Sequence, residues 1–135
     1  MSKEPKTKPT DASVADFIAA VENPARRADA EVLRAMMAEI TGAPPVMWGP
    51  TIVGFGSYRG ATGDWPVAGF SPRKANLVVY LTPGFDQTEP MSRLGKARTS
   101  VACLYINRLS DVDLGVLREM VEASVRETRA HYPDA

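Results

Sequence analysis

The sequence predicts an α+β domain in which helices at both ends of the chain pack against one antiparallel sheet of about four to five strands. Apolar residues recur at helical spacing near both ends, and the middle of the chain contains short strand-like segments. The turns between those segments are too short for parallel crossovers. The predicted element order is ααβββ(α)βα. At 135 residues the chain has the size of one domain. We expect residues 1–12 to form a mobile tail and residues 13–133 to form that domain.

Two helices are predicted before the strands. Ser13 and Asp16 form a capping-box-like start for the first helix. Asn23 followed by proline starts the second, with the asparagine as N-cap and the proline at the first helical position. Gly42 is the expected C-cap glycine of this second helix.

Four strands are predicted in the middle of the chain, over residues 52–58, 66–70, 76–81 and 101–106. A loop and a helix over residues 86–95 precede the fourth strand. The last helix is expected to begin with a second capping box, formed by Ser110 and Asp113. On its outer face Glu122 and Arg126 have the spacing of an i, i+4 ion pair.

The charges cancel overall, with 16 basic and 16 acidic residues, but they are unevenly distributed. Residues 57–108 carry seven bases and three acids, whereas residues 10–45 and residues 109–135 each carry six acids and three bases. Such a basic middle attracts an anion, but its field is weak for nucleic acid. No apolar run approaches the roughly 18 residues of a membrane span. We therefore expect a cytoplasmic protein with neither nucleic acid nor membrane as a partner.

The chain lacks the residues that most catalytic chemistries require. One histidine, His131, and one cysteine, Cys103, cannot supply a zinc site of the usual ligand types. No nucleophile elbow, phosphate-binding glycine loop or dinucleotide fingerprint is present. Cys103 lies in an apolar strand pattern, so we expect a buried, slowly reacting thiol. A nucleophilic role for Cys103 or Ser71 would lack a nearby base, and the sequence favours a non-enzymatic role.

The candidate binding residues lie in loops beside the predicted strands. Residues 47–50 place a tryptophan before the first strand, and residues 70–74 join the second and third strands with a hydroxyl and two cations. Residues 94–100 add a glycine, two hydroxyls and two cations, a composition that can turn N–H groups toward an anion. We expect these loops to converge in one cleft at one end of the sheet and to bind a small anionic ligand or a protein partner. The candidate ligand-binding residues are Met47, Trp48, Tyr58, Ser71, Arg73, Lys74, Lys96 and Arg98.

Four separated motifs resemble the YdhG-like family, a group of uncharacterised bacterial domains. They are PVMWGPTIVGFG at 45–56, GFSPRKANL at 69–77, LGK at 94–96 and CLYI at 103–106. The resemblance extends from about Ser13 to Tyr132 and implies a sheet flanked by helices. The chain departs from the family near Ser100 and Val101, where a glycine and a lysine are usual. That departure leaves Lys96 and Arg98 as the cations of this loop.

The resemblance also implies an alternative function, since one branch of the family is similar to frataxin and is described as an intracellular iron chaperone. Iron handling requires clustered oxygen ligands. The candidates are Asp11, Asp16 and Glu22 near the first helix and Glu119, Glu122 and Glu127 in the last. These carboxylates are spread out and interleaved with arginines. We therefore expect no bound metal or other cofactor, with iron as the alternative.

Overall fold

The computed structural model describes residues 9–60, 63–81, 87–100, 103–133 and 135. These residues form four α-helices, namely α1 Val14–Ala19, α2 Pro24–Thr41, α3 Thr88–Leu94 and α4 Leu114–His131. A short 3-10 turn, Leu109–Asp111, precedes α4. Residues 1–8 of the predicted tail lie outside the described part of the chain.

The described residues form eight strands in two antiparallel sheets. The strands are β1 Pro45–Trp48, β2 Ile52–Phe55, β3 Tyr58–Gly60, β4 Gly63–Trp65, β5 Ala68–Pro72, β6 Leu77–Tyr80, β7 Ala97–Thr99 and β8 Cys103–Ile106. Six of them form the main sheet in the order β1-β2-β5-β6-β8-β7, and β3 pairs with β4 in a separate hairpin. The predicted α+β class is confirmed. The main sheet has six strands, more than the four to five expected, because residues 45–48 and 97–99 lie in segments that were predicted as loops and instead form β1 and β7.

The predicted strand over 52–58 is divided in two by Gly56. This glycine has φ 67°, a left-handed conformation that ends the extended backbone of β2 after Phe55. The chain becomes extended again at Tyr58, in the separate β3–β4 hairpin. A glycine within a strand pattern is compatible with either a bulge or a break, and the fold selects the break.

Three of the predicted helix ends are confirmed. The Ser13 hydroxyl accepts from the Asp16 N–H at 3.1 Å, the Asn23 side chain accepts from the N–H three residues later, and Gly42 has φ 71°. At α4 the prediction of a Ser110 cap is wrong. Asp113 is the N-cap and accepts from the Val116 N–H at 3.1 Å.

The ion pair predicted on α4 also differs. The Glu122 carboxylate lies 3.8 Å from the guanidinium of Arg118, one turn toward the N-terminus of the helix. Arg126 is exposed and has no salt bridge to a described residue.

One face of the main sheet packs against the helices. A row of register partners across five strands belongs to the buried core, namely Met47, Val53, Phe70, Val79 and Leu104. Helices α2 and α4 supply the facing apolar side chains, including Leu33, Met37, Leu117 and Met120. Because side chains alternate along a strand, the neighbours of the sheet residues in this row point to the opposite face.

Trp48 is buried on that opposite face. It is 2% exposed but lies outside the core cluster under the helices. Its indole covers Gly54 of the neighbouring strand. A Cβ on Gly54 would lie 2.6 Å from the indole nitrogen and 2.9 Å from Cβ of Pro66. Gly54 is therefore required for the ring to pack against the strand.

Within the described residues, no helix is long and apolar enough to cross a bilayer.

Candidate anion-binding site

Several of the candidate residues are brought together at one end of the main sheet. Strand β5 ends at Pro72, β6 begins at Leu77, β8 ends at Ile106 and β7 begins at Ala97, and these four residues are successive register partners. The β5–β6 turn, the residue after β8 and the residue before β7 therefore all extend beyond the same end of the sheet. Arg73, Lys74 and Lys96 occupy these extensions.

A cavity of about 310 Å³ opens at this end, beside β6, β8 and β7. It is lined by Ala75, Asn76, Lys96, Ala97, Arg98, Tyr105, Ile106 and Asn107. We call it the β7 cavity. Its polar groups are two cations, two amides and one phenol, and none of its described lining residues is acidic. The lining therefore carries a positive charge together with hydrogen-bond donors.

Arg98 and Tyr105 are register partners on the sheet face opposite the helices. The guanidinium carbon of Arg98 lies 5.2 Å from the centroid of the Tyr105 ring, within the range of a cation–π contact. The Tyr105 hydroxyl lies 3.3 Å from the Ser100 hydroxyl oxygen. In this way the sheet fixes the orientation of the arginine without neutralising its charge.

The two cations of the β7 cavity have no acidic partner among the residues that the structure describes. The backbone N–H of Lys96 donates to the Asp111 carbonyl at 3.1 Å, which fixes the chain at the start of β7. Both Lys96 and Arg98 are exposed. By contrast, Arg34, Arg59, Arg93 and Arg118 each form an ion pair with a carboxylate.

Arg26 joins the separate segments at this end of the sheet. It is only 7% exposed, and its Nη1 donates to the Arg73 carbonyl at 2.5 Å and to the Lys74 carbonyl at 3.1 Å. Its Nη2 donates to both oxygens of Asn107, at 3.0 Å for the carbonyl and 3.2 Å for Oδ1. Arg26 was not among the predicted site residues. The available signal was a cation in the first turn of a helix, where the helix dipole disfavours positive charge.

Arg73 contacts a second tyrosine. Its Nη2 donates to the Tyr80 hydroxyl at 2.9 Å. Burial raises the pKa of Tyr80, and the charge of Arg73 opposes that rise.

Cys103 is the register partner of Tyr80 and is half-buried, so the expectation of a buried thiol is wrong. Its side chain belongs to the opposite face of the sheet, because the neighbouring Leu104 faces the core.

Three of the candidate residues are buried away from the cavity. Met47 belongs to the core beneath the helices, and Trp48 packs over Gly54. Ser71 is fully buried, and its hydroxyl donates to the Thr51 carbonyl at 2.6 Å. These contacts give the three side chains packing and hydrogen-bonding roles within the fold.

The remaining candidate, Tyr58, lies in the β3–β4 hairpin. Its ring centroid is 4.5 Å from that of Tyr132, at the end of α4, and it does not line the β7 cavity. The expectation that the three loops share one cleft is wrong: Arg73 and Lys74 do not line the β7 cavity with Lys96 and Arg98, and Trp48 is buried elsewhere. Strands β1 and β7 are the two edges of the six-stranded sheet, so Trp48 and Lys96 lie at opposite edges.

The carboxylates proposed for iron do not form a cluster. Among the residues that the structure describes, no group of three His, Cys, Asp or Glu side chains could hold a metal ion. The three candidates on α4 each contact a basic side chain: Glu119 with Arg93 at 3.0 Å, Glu122 with Arg118 at 3.8 Å and Glu127 with His131 at 3.0 Å. The other three are exposed, namely Asp11, Asp16 and Glu22.

The chain matches no family model, no curated protein and no solved structure. The resemblance to the YdhG-like family therefore depends on the sequence motifs alone. It stays a prediction.

Proposed function

We propose that this domain binds a small anion in the β7 cavity and does not transform it chemically. The observation that carries the proposal is the pairing of Lys96 and Arg98 in one cavity without an acidic neighbour among the described residues. Cations of a folded domain commonly pair with carboxylates on its own surface, as four other arginines of this chain do. Two cations in one concave site, without an acidic partner among the described residues, favour a negatively charged ligand.

The lining groups suit a phosphate or a small dicarboxylate. Lys96 supplies a compact charge with three donors, whereas Arg98 supplies a planar fork that matches two anionic oxygens. The Asn107 side-chain oxygen already accepts from Arg26, so its NH₂ group is the part left for a ligand. The Asn76 amide adds a further polar group to the lining. A volume of about 310 Å³ is at the small end of ligand sites.

The motifs that resemble the YdhG-like family lie in the same region of the fold. We also propose that the chain belongs to that family. The motif segment 94–96 immediately precedes β7, the segment 103–106 is β8, and the segment 69–77 includes the β5–β6 turn. We also propose a cytoplasmic location, because a chain with one cysteine cannot form an internal disulfide.

The test is a titration of the full chain with inorganic phosphate and with malonate, in which binding is measured from the backbone amide chemical shifts. We expect saturable shifts at residues 76, 96–98 and 105–107, with an affinity that falls as ionic strength rises. The double variant Lys96→Ala/Arg98→Ala should lose at least tenfold in affinity. The control is Arg126→Ala, which removes an exposed arginine of α4 outside the cavity. Equal affinity for the double variant and the wild type would overturn the proposal.

A further inference from the structure

A second cavity, of about 580 Å³, lies between α1, the start of α2 and the β5–β6 turn. We call it the α1 cavity. It shares no described lining residue with the β7 cavity. Phe17, Val21 and Pro72 form an apolar wall, and Arg26 and Lys74 provide positive charge. The α1 cavity is therefore amphipathic, with an apolar side and a cationic end.

Arg26 gives the clearest indication that the α1 cavity holds a ligand. Its side chain is more than nine-tenths buried, and every acceptor that the structure gives it is an uncharged oxygen. Its Nε is buried without a hydrogen-bond partner among the described residues. Burying a cation is costly, and its hydrogen bonds to uncharged oxygens offset only part of that cost. An anion in the α1 cavity, which Arg26 lines, would offset that cost.

The charges around the α1 cavity favour a ligand with a single negative charge. Arg26 and Lys74 are partly balanced by Glu22, which also lines the cavity. Arg73 lines it as well, but its guanidinium donates to the Tyr80 hydroxyl. A dianion would gain less electrostatic binding energy here than in the β7 cavity, where no described lining residue is acidic.

The apolar wall adds a second requirement. Phe17 and Val21 are half-buried and leave part of their surface facing the α1 cavity, and Pro72 extends this surface onto the sheet. Phe17 also packs against the core cluster, so the wall has a fixed position. Such a surface stabilises a bound ligand in proportion to the apolar area that it covers.

We propose that the α1 cavity binds a monocarboxylate with an apolar body. The carboxylate lies toward Lys74 and the buried Arg26, and the apolar body packs against Phe17, Val21 and Pro72. This site is separate from the β7 cavity in both its residues and its ligand class, and it goes beyond the proposed function.

The experiment uses the full chain titrated with acetate, butyrate, hexanoate and octanoate at constant ionic strength, with detection by backbone amide shifts. We expect affinity to rise about two- to fourfold for each added methylene that contacts the wall. The shifted amides should include those of Phe17, Val21 and Lys74. Lys74→Ala should weaken hexanoate binding about three- to tenfold, because it removes an exposed cation of the site. Val21→Ser should reduce the dependence on chain length.

Lys96→Ala is the matched control, since it removes a lysine from the other cavity. It should leave hexanoate affinity unchanged, and Lys74→Ala should leave phosphate affinity unchanged. An affinity independent of chain length, or equal weakening of hexanoate binding by Lys96→Ala and Lys74→Ala, would overturn this inference. A failure of phosphate to bind affects only the β7 cavity, so the two proposals fail separately. Lys74 is an exposed turn residue, and an unchanged thermal midpoint of Lys74→Ala confirms that a lost affinity is not lost folding.

Discussion

The guanidinium of Arg26 donates to both the backbone carbonyl and the side-chain oxygen of Asn107, a residue 81 positions away in the sequence. The same guanidinium donates to two carbonyls of the β5–β6 turn. One side chain from the helix layer thus fixes two segments at the end of the sheet. Asn107 lines the β7 cavity, whereas Arg26 lines the α1 cavity.

Replacing Arg26 should destabilise the domain. In Arg26→Met, four oxygens lose a charged donor, and we expect the free energy of unfolding to fall by about 2–3 kcal/mol in urea denaturation. Arg34→Met is the control, because Arg34 forms a more exposed i, i+3 ion pair with Glu31. Such a pair contributes about 0–1 kcal/mol. Similar losses for the two variants would contradict the joining role assigned to Arg26.

Ser71 should contribute to stability and not to anion binding. Ser71→Ala removes the donor of the 2.6 Å hydrogen bond to the Thr51 carbonyl, so we expect a loss of about 1 kcal/mol in the free energy of unfolding. Phosphate affinity, measured by titration of the same variant, should match that of the wild type. A tenfold loss of affinity with unchanged stability would instead return Ser71 to the binding site.

Gly54 and Trp48 should show strong energetic coupling. Gly54→Ala places a methyl group against the indole ring, and we expect a destabilisation of about 1–3 kcal/mol from overpacking. In a Trp48→Leu background the same change should cost less, because the ring is gone and only the close contact with Pro66 remains. A double-mutant cycle from urea unfolding measures the difference. Equal costs in the two backgrounds would show that the ring does not restrict residue 54.

The pKa of Tyr80 should respond to Arg73. Burial raises this pKa and Arg73 lowers it, so Arg73→Leu should raise it further. The Tyr80 ring carbon shift measured against pH reports the change, with Arg98→Leu as the control because Arg98 contacts Tyr105.

The raised pKa of Tyr80 also makes the stability of the fold depend on pH. A group whose pKa is higher in the folded state than in the unfolded state contributes its full stability below the pKa of the unfolded state. That contribution is lost as pH rises through the folded pKa. Tyr80→Phe should therefore lose less stability in alkaline solution than the wild type.

Iron should bind no better than it does to a generic acidic surface. Glu119 and Glu122 are already paired with Arg93 and Arg118, and an ion would have to compete with those contacts. We expect anaerobic calorimetric titration with ferrous iron to show no stoichiometric micromolar site. A site of that strength, abolished in Glu119→Ala/Glu122→Ala, would establish the iron alternative.

Local signals in the sequence were the reliable ones. The caps at Ser13, Asn23 and Gly42 depend on contacts within four residues, so a short window contains all the information that specifies them. The prediction of a cap at Ser110 was wrong because Ser110 and Asp113 are both good capping residues. The 3-10 turn over Leu109–Asp111 decides between them.

The site was predicted only in part, because its assembly depends on pairing between distant strands. Arg73, Lys74 and Lys96 were recognised as turn cations, and the strand order brings them to the same end of the sheet. That order also places Trp48 at the far edge, which no local pattern indicates. The role of Arg26 depends on contacts 47 to 81 residues away, beyond the range of any helical periodicity.

The β3–β4 hairpin has a consequence for how this chain can vary. Phe55 and Ala68 are register partners on the adjacent strands β2 and β5, so residues 56–67 leave and re-enter the main sheet at neighbouring positions. Lengthening a surface loop whose ends are already held together costs little entropy. This segment is therefore a modular position, at which insertions or exchanged loops would leave the six-stranded register intact. A replacement would have to restore or forgo the contact between Tyr58 and Tyr132, the packing of Pro66 near Gly54 and the burial of Val67 in the core.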